Sequence, residues 1–380
     1  MDAVFDNFAE PPGVYIKEEL EARNWSQRDL AYILGYTEQT VNKIITGKQG
    51  VTAEMAKALG QAFGTSADVW ANLQNAYELR LAREPDPAIK ARAQLQSAFP
   101  IREMIRRGWF AETDQTLLEL QVTRFFEVGA LADVPKLSFA GAAKRPAYDD
   151  EPAEQIAWLY RVRQIARTID VPRYAESALR AALPRLRSLV IDPEDARYLP
   201  AILHECGVRF VVVETLPSGQ KEKIDGVCTW LDDESPVIGI STFHDRFDNF
   251  WFVVRHEIEH VLRGHGKKKS ILDNFDETNA MSDGNDIEKE EQDANAAALS
   301  FCFPREKLKA FYARKSPFIS ERDMIGFSAL MEVHPAIVVG QIQYLKNDYR
   351  WLRKYLPKIR SHLLETAVSD GWGHVAEASL

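Results

Sequence analysis

The sequence predicts an α+β chain, mostly α, with two to three domains in its 380 residues. Three observations carry this. Residues 25–48 have the spacing of two short helices joined by a glycine turn. Residues 248–262 have helical apolar spacing and enclose an H-E-x-x-H run. Between them, residues 208–241 hold three short strand-like runs, 208–214, 226–231 and 236–241, which read as a small sheet.

The first element begins at Ser26-Gln27-Arg28-Asp29, a capping-box-like start with Asp29 in place of the usual glutamate. Leu30, Ala31, Ile33 and Leu34 form the apolar side of the helix, and Gly35 permits the left-handed turn. Thr37 caps the next helix, which buries Val41, Ile44 and Ile45. Counted from Gln27, the helix-turn-helix pattern wants a small residue fifth, glycine ninth and branched apolar residues fifteenth and eighteenth. Ala31, Gly35, Val41 and Ile44 meet it. The second helix presents Gln39, Thr40 and Asn42, which are types that read adenine or a thymine methyl. Arg28, Lys43 and Lys48 are candidates for phosphates, and Thr37 completes the candidate DNA-binding set. Residues 1–83 carry 8 Lys/Arg against 11 Asp/Glu, so affinity has to come from a local basic spot and from dimerisation across two half-sites.

This stretch closely resembles HigA-type antitoxins of the XRE helix-turn-helix class. The shared pieces include Pro12-Gly13, Trp25-Ser26-Gln27, Leu34-Gly35, Gly64-Thr65-Ser66, Trp70 and Tyr77-Glu78-Leu79. The resemblance implies a five-helix domain over residues 1–83 that binds operator DNA as a homodimer. It also implies possible capture of a small ribonuclease toxin of the HigB type. Trp70 and Tyr77 read as core or dimer contacts.

Arg83-Glu84-Pro85-Asp86-Pro87 marks a boundary. Residues 88–190 are rich in Ala, Leu, Arg and Glu, and residues 84–197 read as a helical connector with a break near residues 141–154. Arg102, Arg106 and Arg107 there either touch phosphates or form a solvated surface.

In the H-E-x-x-H helix, His256 and His260 are one turn apart, so both imidazoles can hold one metal ion. Glu257 can reach a water at that ion and act as general base. Asp248 or Asn249 is expected to cap the helix, and Gly264 to stop it. A third histidine at the H-E-x-x-H-x-x-G-x-x-H spacing is absent: Arg263 and Gly266 stand at its glycine and histidine places, and His265 reads as solvent-facing. A second helix, residues 287–303 ending before Pro304, offers Glu291 instead. Glu291, Ala294, Asn295 and Ala298 make one stripe, small enough for close approach to the metal helix. Glu291 is then the third ligand and Asn295 braces a ligand; the alternative is a solvated acidic patch with Asp286, Glu288 and Glu290.

His256-Glu257-x-x-His260, then Glu291-x-x-Ala294-Asn295 and Pro304, resembles the ImmA/IrrE family of zinc metallopeptidases over roughly residues 198–345. The resemblance implies a gluzincin-like domain with a small mixed sheet, one Zn2+ per chain, and cleavage of a transcriptional repressor under stress. Residues 346–380 are then a C-terminal extension. It also points to Ile238, Gly239, Ile240 and Ser241 as the edge strand that holds substrate as an added strand. Relatives carry a His-Pro segment like His334-Pro335. His334 there either donates to an oxyanion, as a catalytic residue, or caps a helix. One departure stands out: the family usually has Gly or Ala before the second histidine, and Glu259 here either crowds the site or faces solvent.

A total of 47 basic and 56 acidic residues gives net charge −9, which by itself does not point to DNA. No run is long enough to cross a membrane and no signal-peptide pattern appears. Cys206, Cys228 and Cys302 lack a C-x-x-C and read as buried thiols in a reducing bacterial cytoplasm, with the protein on the nucleoid when DNA-bound. Two functions follow. One is a DNA-bound regulator with a zinc endopeptidase that cuts a repressor, an antitoxin or itself. The other is a non-catalytic antitoxin-like repressor whose peptidase-like domain senses a metal or ligand, or grips a toxin.

Overall fold

The structure, a computed structural model, describes residues 10–86, 88–111, 114–134, 152–217, 224–267, 271–273 and 289–378. Most of the break expected at 141–154, and the start expected at Ile287 for the Glu291 helix, lie outside the described residues. The chain is mostly helical with one small mixed sheet, and it divides into two compact units, Met1–Pro87 and Ala88–Leu380.

The first unit has five helices: α1 (Pro12–Arg23), α2 (Gln27–Leu34), α3 (Glu38–Ile45), α4 (Ala53–Phe63) and α5 (Ala67–Leu81). Their caps are local chemistry. Ser26 Oγ accepts from Asp29 N–H at 3.2 Å while Ser26 N–H donates to the Asp29 carboxylate at 2.7 Å, a complete capping box. Gly35, at φ 71°, ends α2 in the left-handed conformation. Ile16, Leu30, Val41, Ile44, Leu59 and Trp70 share the core. Gly13 lets α1 approach α3, because a Cβ there would stand 2.3 Å from the Ile45 carbonyl oxygen.

In the second unit, α6 (Ala88–Ala98), α7 (Ile101–Arg106), α8 (Gln115–Phe125), α9 (Ala153–Thr168), α10 (Glu176–Ser188) and α11 (Leu199–Glu205) precede the sheet. Then come β1 (Arg209–Val213), β2 (Gly226–Trp230), β3 (Pro236–Ile240), α12 (Phe247–Arg263), β4 (Ile271–Asp273), α13 (Lys289–Phe301), α14 (Arg305–Lys315), α15 (Glu321–Leu330), α16 (Pro335–Lys346), α17 (Arg360–Leu363) and β5 (Val368–Asp370). The sheet order is β4-β2-β3-β1-β5. β1 runs parallel to β3 and β5, while β2 runs antiparallel to β3 and β4.

Both faces of this sheet are covered. Phe210, Val212, Ile238 and Ile240 point into the core shared with α12, whereas Val211, Val213 and Val237 point into the core shared with α9. That is why these strands read as continuous apolar runs. Gly239 admits α9 closely, since a Cβ there would lie 2.7 Å from Val162.

Three expectations change here. The segment read as a connector supplies the layer on one face of the sheet: Trp109, Phe125, Ile156, Trp158 and Val162 are fully buried, and Trp158 Nε1–H donates to the Val213 carbonyl at 2.8 Å. Apolar helices of this kind cannot stand as a spacer in water. The segment read as an extension returns as β5, whose Asp370 is buried against Arg161 and Trp109. In addition, β3 is not an edge. Both its ladders are filled, by β1 and β2, so Ile238, Gly239, Ile240 and Ser241 cannot accept an added strand; among the described residues the edges belong to β4 and β5. No helix among the described residues is long and apolar enough to cross a membrane.

Candidate metal centre and nucleic-acid interface

Helix α12 begins at Phe247, two residues earlier than a cap at Asp248 and three earlier than a cap at Asn249 would place it. Arg246 holds the cap position without a side-chain bond. Asp248 pairs with Arg246 at 2.7 Å instead, and Asn249 faces Asp225 at 3.5 Å. Gly264 ends the helix at φ 69°. Nearly every residue from Phe250 to Leu262 is buried, the histidines included.

The three expected donors converge. His256 Nε2 and His260 Nε2 lie 2.8 Å apart, and they stand 3.3 and 3.4 Å from the two carboxylate oxygens of Glu291. Both histidines are fully buried and the Glu291 side chain is 26% exposed. Donors about 2.1 Å from one tetrahedral ion are about 3.4 Å apart. The carboxylate spacings match that, and the histidine pair lies just inside it. Burial pushes the Glu291 carboxyl up, but bonds from His256 and His260 outweigh this and hold it far below the usual carboxylate range. The arrangement is therefore an anionic oxygen facing two imidazole nitrogens, which suits a divalent cation. Ala294 and Ala298 are buried on the same stripe, as close approach of α13 to α12 needs, and Asn295 Oδ1 is buried there without a hydrogen-bond partner.

Glu257 is fully buried and lies against β2. A Cβ at Gly226 would stand 2.3 Å from Glu257 Oε1, so the glycine is the space the carboxylate occupies. Glu259 neither crowds the site nor faces solvent. Its carboxylate is held by Arg255 and Arg263, each at 2.7 Å, and Arg263 continues to Asp293 of α13 at 2.9 Å. Burial raises the Glu259 pKa, yet the two guanidinium bonds overcome it and leave the group below its ordinary value.

His334 is placed elsewhere. It caps α16, with Nδ1 accepting from Ala336 N–H at 3.1 Å, and its ring packs on Phe247 with centroids 5.3 Å apart. Phe247 opens α12, nine residues before His256, which is about 13 Å of helix rise. His334 thus takes the helix-cap alternative, and burial lowers its pKa.

His265 corrects an expectation in the other direction. It is not solvent-facing: its side chain is 14% exposed, and Nδ1 lies 3.0 Å from His260 Nδ1. Burial lowers its pKa, which favours the neutral ring. The signal for it was Gly264, because a left-handed glycine folds the next residue back over the last turn. Gly226 had no comparable signal, since its neighbour Glu257 is 31 residues away.

In the first unit, Thr37, Gln39, Asn42 and Lys43 on and before α3 are exposed, as are Arg28 and Lys48, while Thr40 is half-buried. Thr37 Oγ1 accepts from Thr40 N–H at 3.2 Å. Asn42 Nδ2 donates to Gln27 Oε1 at 3.2 Å, so Gln27, not singled out from sequence as a contact, steadies the Asn42 amide.

Residues 16–70 match the family described as helix-turn-helix, and residues 210–334 match the family described as IrrE N-terminal-like domain. An uncharacterized HTH-type transcriptional regulator of Escherichia coli strain K12, YddM, is 38% identical over 73 residues, which is 19% of this chain and 78% of that protein. Virulence-associated protein I of Dichelobacter nodosus is 34% identical over 79 residues, 20% of this chain and 73% of that protein. Among solved structures, the Pseudomonas aeruginosa antitoxin HigA with the higBA promoter is 33% identical, covering 21% of this chain and 99% of that one, with a TM-score of 0.19.

Proposed function

Since the chain belongs to the helix-turn-helix transcriptional regulators and joins to that module an IrrE N-terminal-like domain, we propose that it is a DNA-bound regulator carrying a zinc-dependent endopeptidase. Its substrate is a repressor, an antitoxin or the chain itself. The observation that carries the enzymatic half is the meeting of His256 Nε2, His260 Nε2 and the Glu291 carboxylate beside the buried Glu257.

His256, His260 and Glu291 are the residues that would hold zinc. The ion, when bound, supplies Lewis-acid polarisation of the scissile carbonyl and a lowered pKa for an attacking water. Glu257 takes the proton from that water and returns it to the leaving amine. Gly226 leaves its carboxylate room against β2. In the other unit, α3 enters the major groove. Gln39 and Asn42 read base edges, and Arg28, Lys43 and Lys48 hold phosphates. The acidic balance of this module makes dimerisation over two half-sites the source of affinity.

The test is zinc content measured beside cleavage of the neighbouring repressor or antitoxin. Wild type should carry one zinc per chain, and His260→Ala much less. Equal zinc in both would remove the centre. Zinc without cleavage, under DNA-damaging and toxin-inducing conditions alike, would favour the sensor function over the enzyme.

A further inference from the structure

Helix α12 ends in a turn that does more than stop it. With Gly264 left-handed, His265 N–H donates back to the His260 carbonyl at 2.9 Å, which lays His265 over His260. The turn is then fastened to the sheet. The His265 carbonyl accepts from Trp230 Nε1–H at 2.7 Å and from Cys228 Sγ at 3.6 Å, both on β2. Gly266, at φ 79°, lies so close to the Cys228 carbonyl that a Cβ would stand 2.7 Å from it. The His265 ring is thus held in one place, with Nδ1 3.0 Å from His260 Nδ1 and Nε2 facing the Glu290 carboxylate at 3.8 Å.

We propose that His265 is a positioning residue for the metal centre, fixing the tautomer and ring angle of His260. The inference rests on the zinc reading above. A neutral imidazole has one lone pair and one N–H. His260 turns Nε2 to His256 and Glu291, so a ligand lone pair belongs on Nε2 and the proton on Nδ1. That proton needs an acceptor in a buried site, and His265 Nδ1 is at hydrogen-bond distance. His265 must then carry its own proton on Nε2, on the side of Glu290. The hydrogen-bonded link is His265 to His260, the kind of partner by which ligand histidines are oriented and made more basic.

The experiment uses the full chain and zinc alone, titrated against a chromogenic chelator. His265→Ala should bind one zinc about tenfold to a hundredfold more weakly than wild type. His265→Asn places an acceptor oxygen where Nδ1 was, and should recover most of the loss. Long-range 15N–1H spectra of the zinc-loaded wild type should show His260 protonated on Nδ1 and His265 on Nε2. Wild-type affinity in His265→Ala, or a proton on His265 Nδ1, overturns the inference and leaves the centre standing. A wild type that takes no zinc overturns the centre and the inference together. The spectra keep the idea testable if the alanine variant fails to fold.

Discussion

Glu257 and Gly226 show how much chemistry rests on single atoms. The carboxylate fills the place of the side chain that Gly226 lacks. Gly226→Ala should push the base aside and cut cleavage by about a hundredfold, the scale of an ångström-sized misplacement, while zinc content stays at one. Full activity in that variant would show that the carboxylate works from another position. Glu257→Gln should keep fold and zinc and lose cleavage by about 100-fold to 10,000-fold, because an amide cannot take the proton. Equal rates for this variant and wild type on a genuine partner would discard the general-base role. Both residues were open to different depths in the sequence. Glu257 lies inside a five-residue motif whose periodicity fixes its face, whereas Gly226 is an ordinary glycine until the strand is laid against the helix.

Among the elements, α12 and α13 are joined by a chain of charges as well as by the metal donors. Arg255, Glu259, Arg263 and Asp293 form a continuous line, and Glu259 is only 7% exposed. Removing the central carboxylate leaves Arg255 buried and uncompensated, so Glu259→Ala should cost about 3 kcal/mol in denaturant melts. A change within 0.5 kcal/mol would mean that solvent reaches the pair. The acid at this position therefore serves the helix pair and not the metal donors. Arg255 and Arg263, one turn away on either side, are legible from i,i+4 spacing, whereas Asp293 joins the line only when α13 packs on α12.

Helix α3 makes a separate prediction. Asn42→Ala should lose about 1–3 kcal/mol of preference for operator over random DNA, and Lys43→Ala should weaken binding to all sequences with a shallower salt dependence. Anisotropy titrations of the promoter upstream of its own gene, at two salt concentrations, decide both. Equal affinity for scrambled DNA would reduce the module to a protein-binding one.

For the whole molecule, the division into Met1–Pro87 and Ala88–Leu380 predicts two calorimetric transitions. A ligand stabilises only the unit that binds it. Zinc at a thousand times its Kd should raise the stability of the larger unit by about 4 kcal/mol. Chelation should therefore lower one melting temperature and leave the helix-turn-helix transition in place. Movement of both transitions would show that the units are energetically coupled, and a single transition that they unfold as one.

What the sequence determined by itself is what local chemistry dictates. The capping box at Ser26 and Asp29, the left-handed Gly35, the shared face of His256 and His260 and the small stripe beside Glu291 all lie within about two helical turns of chain, where geometry follows from residue spacing. Tertiary structure alone decided what depends on partners far along the chain. It filled both ladders of β3, so the strand expected at an edge is central. It made the expected connector a layer of the core. It carried His334 to the N-terminal end of α12. Strand order, burial of a long helical segment and the company of a lone histidine are set by which surfaces meet when apolar faces leave water, and a spacing rule does not reach that far.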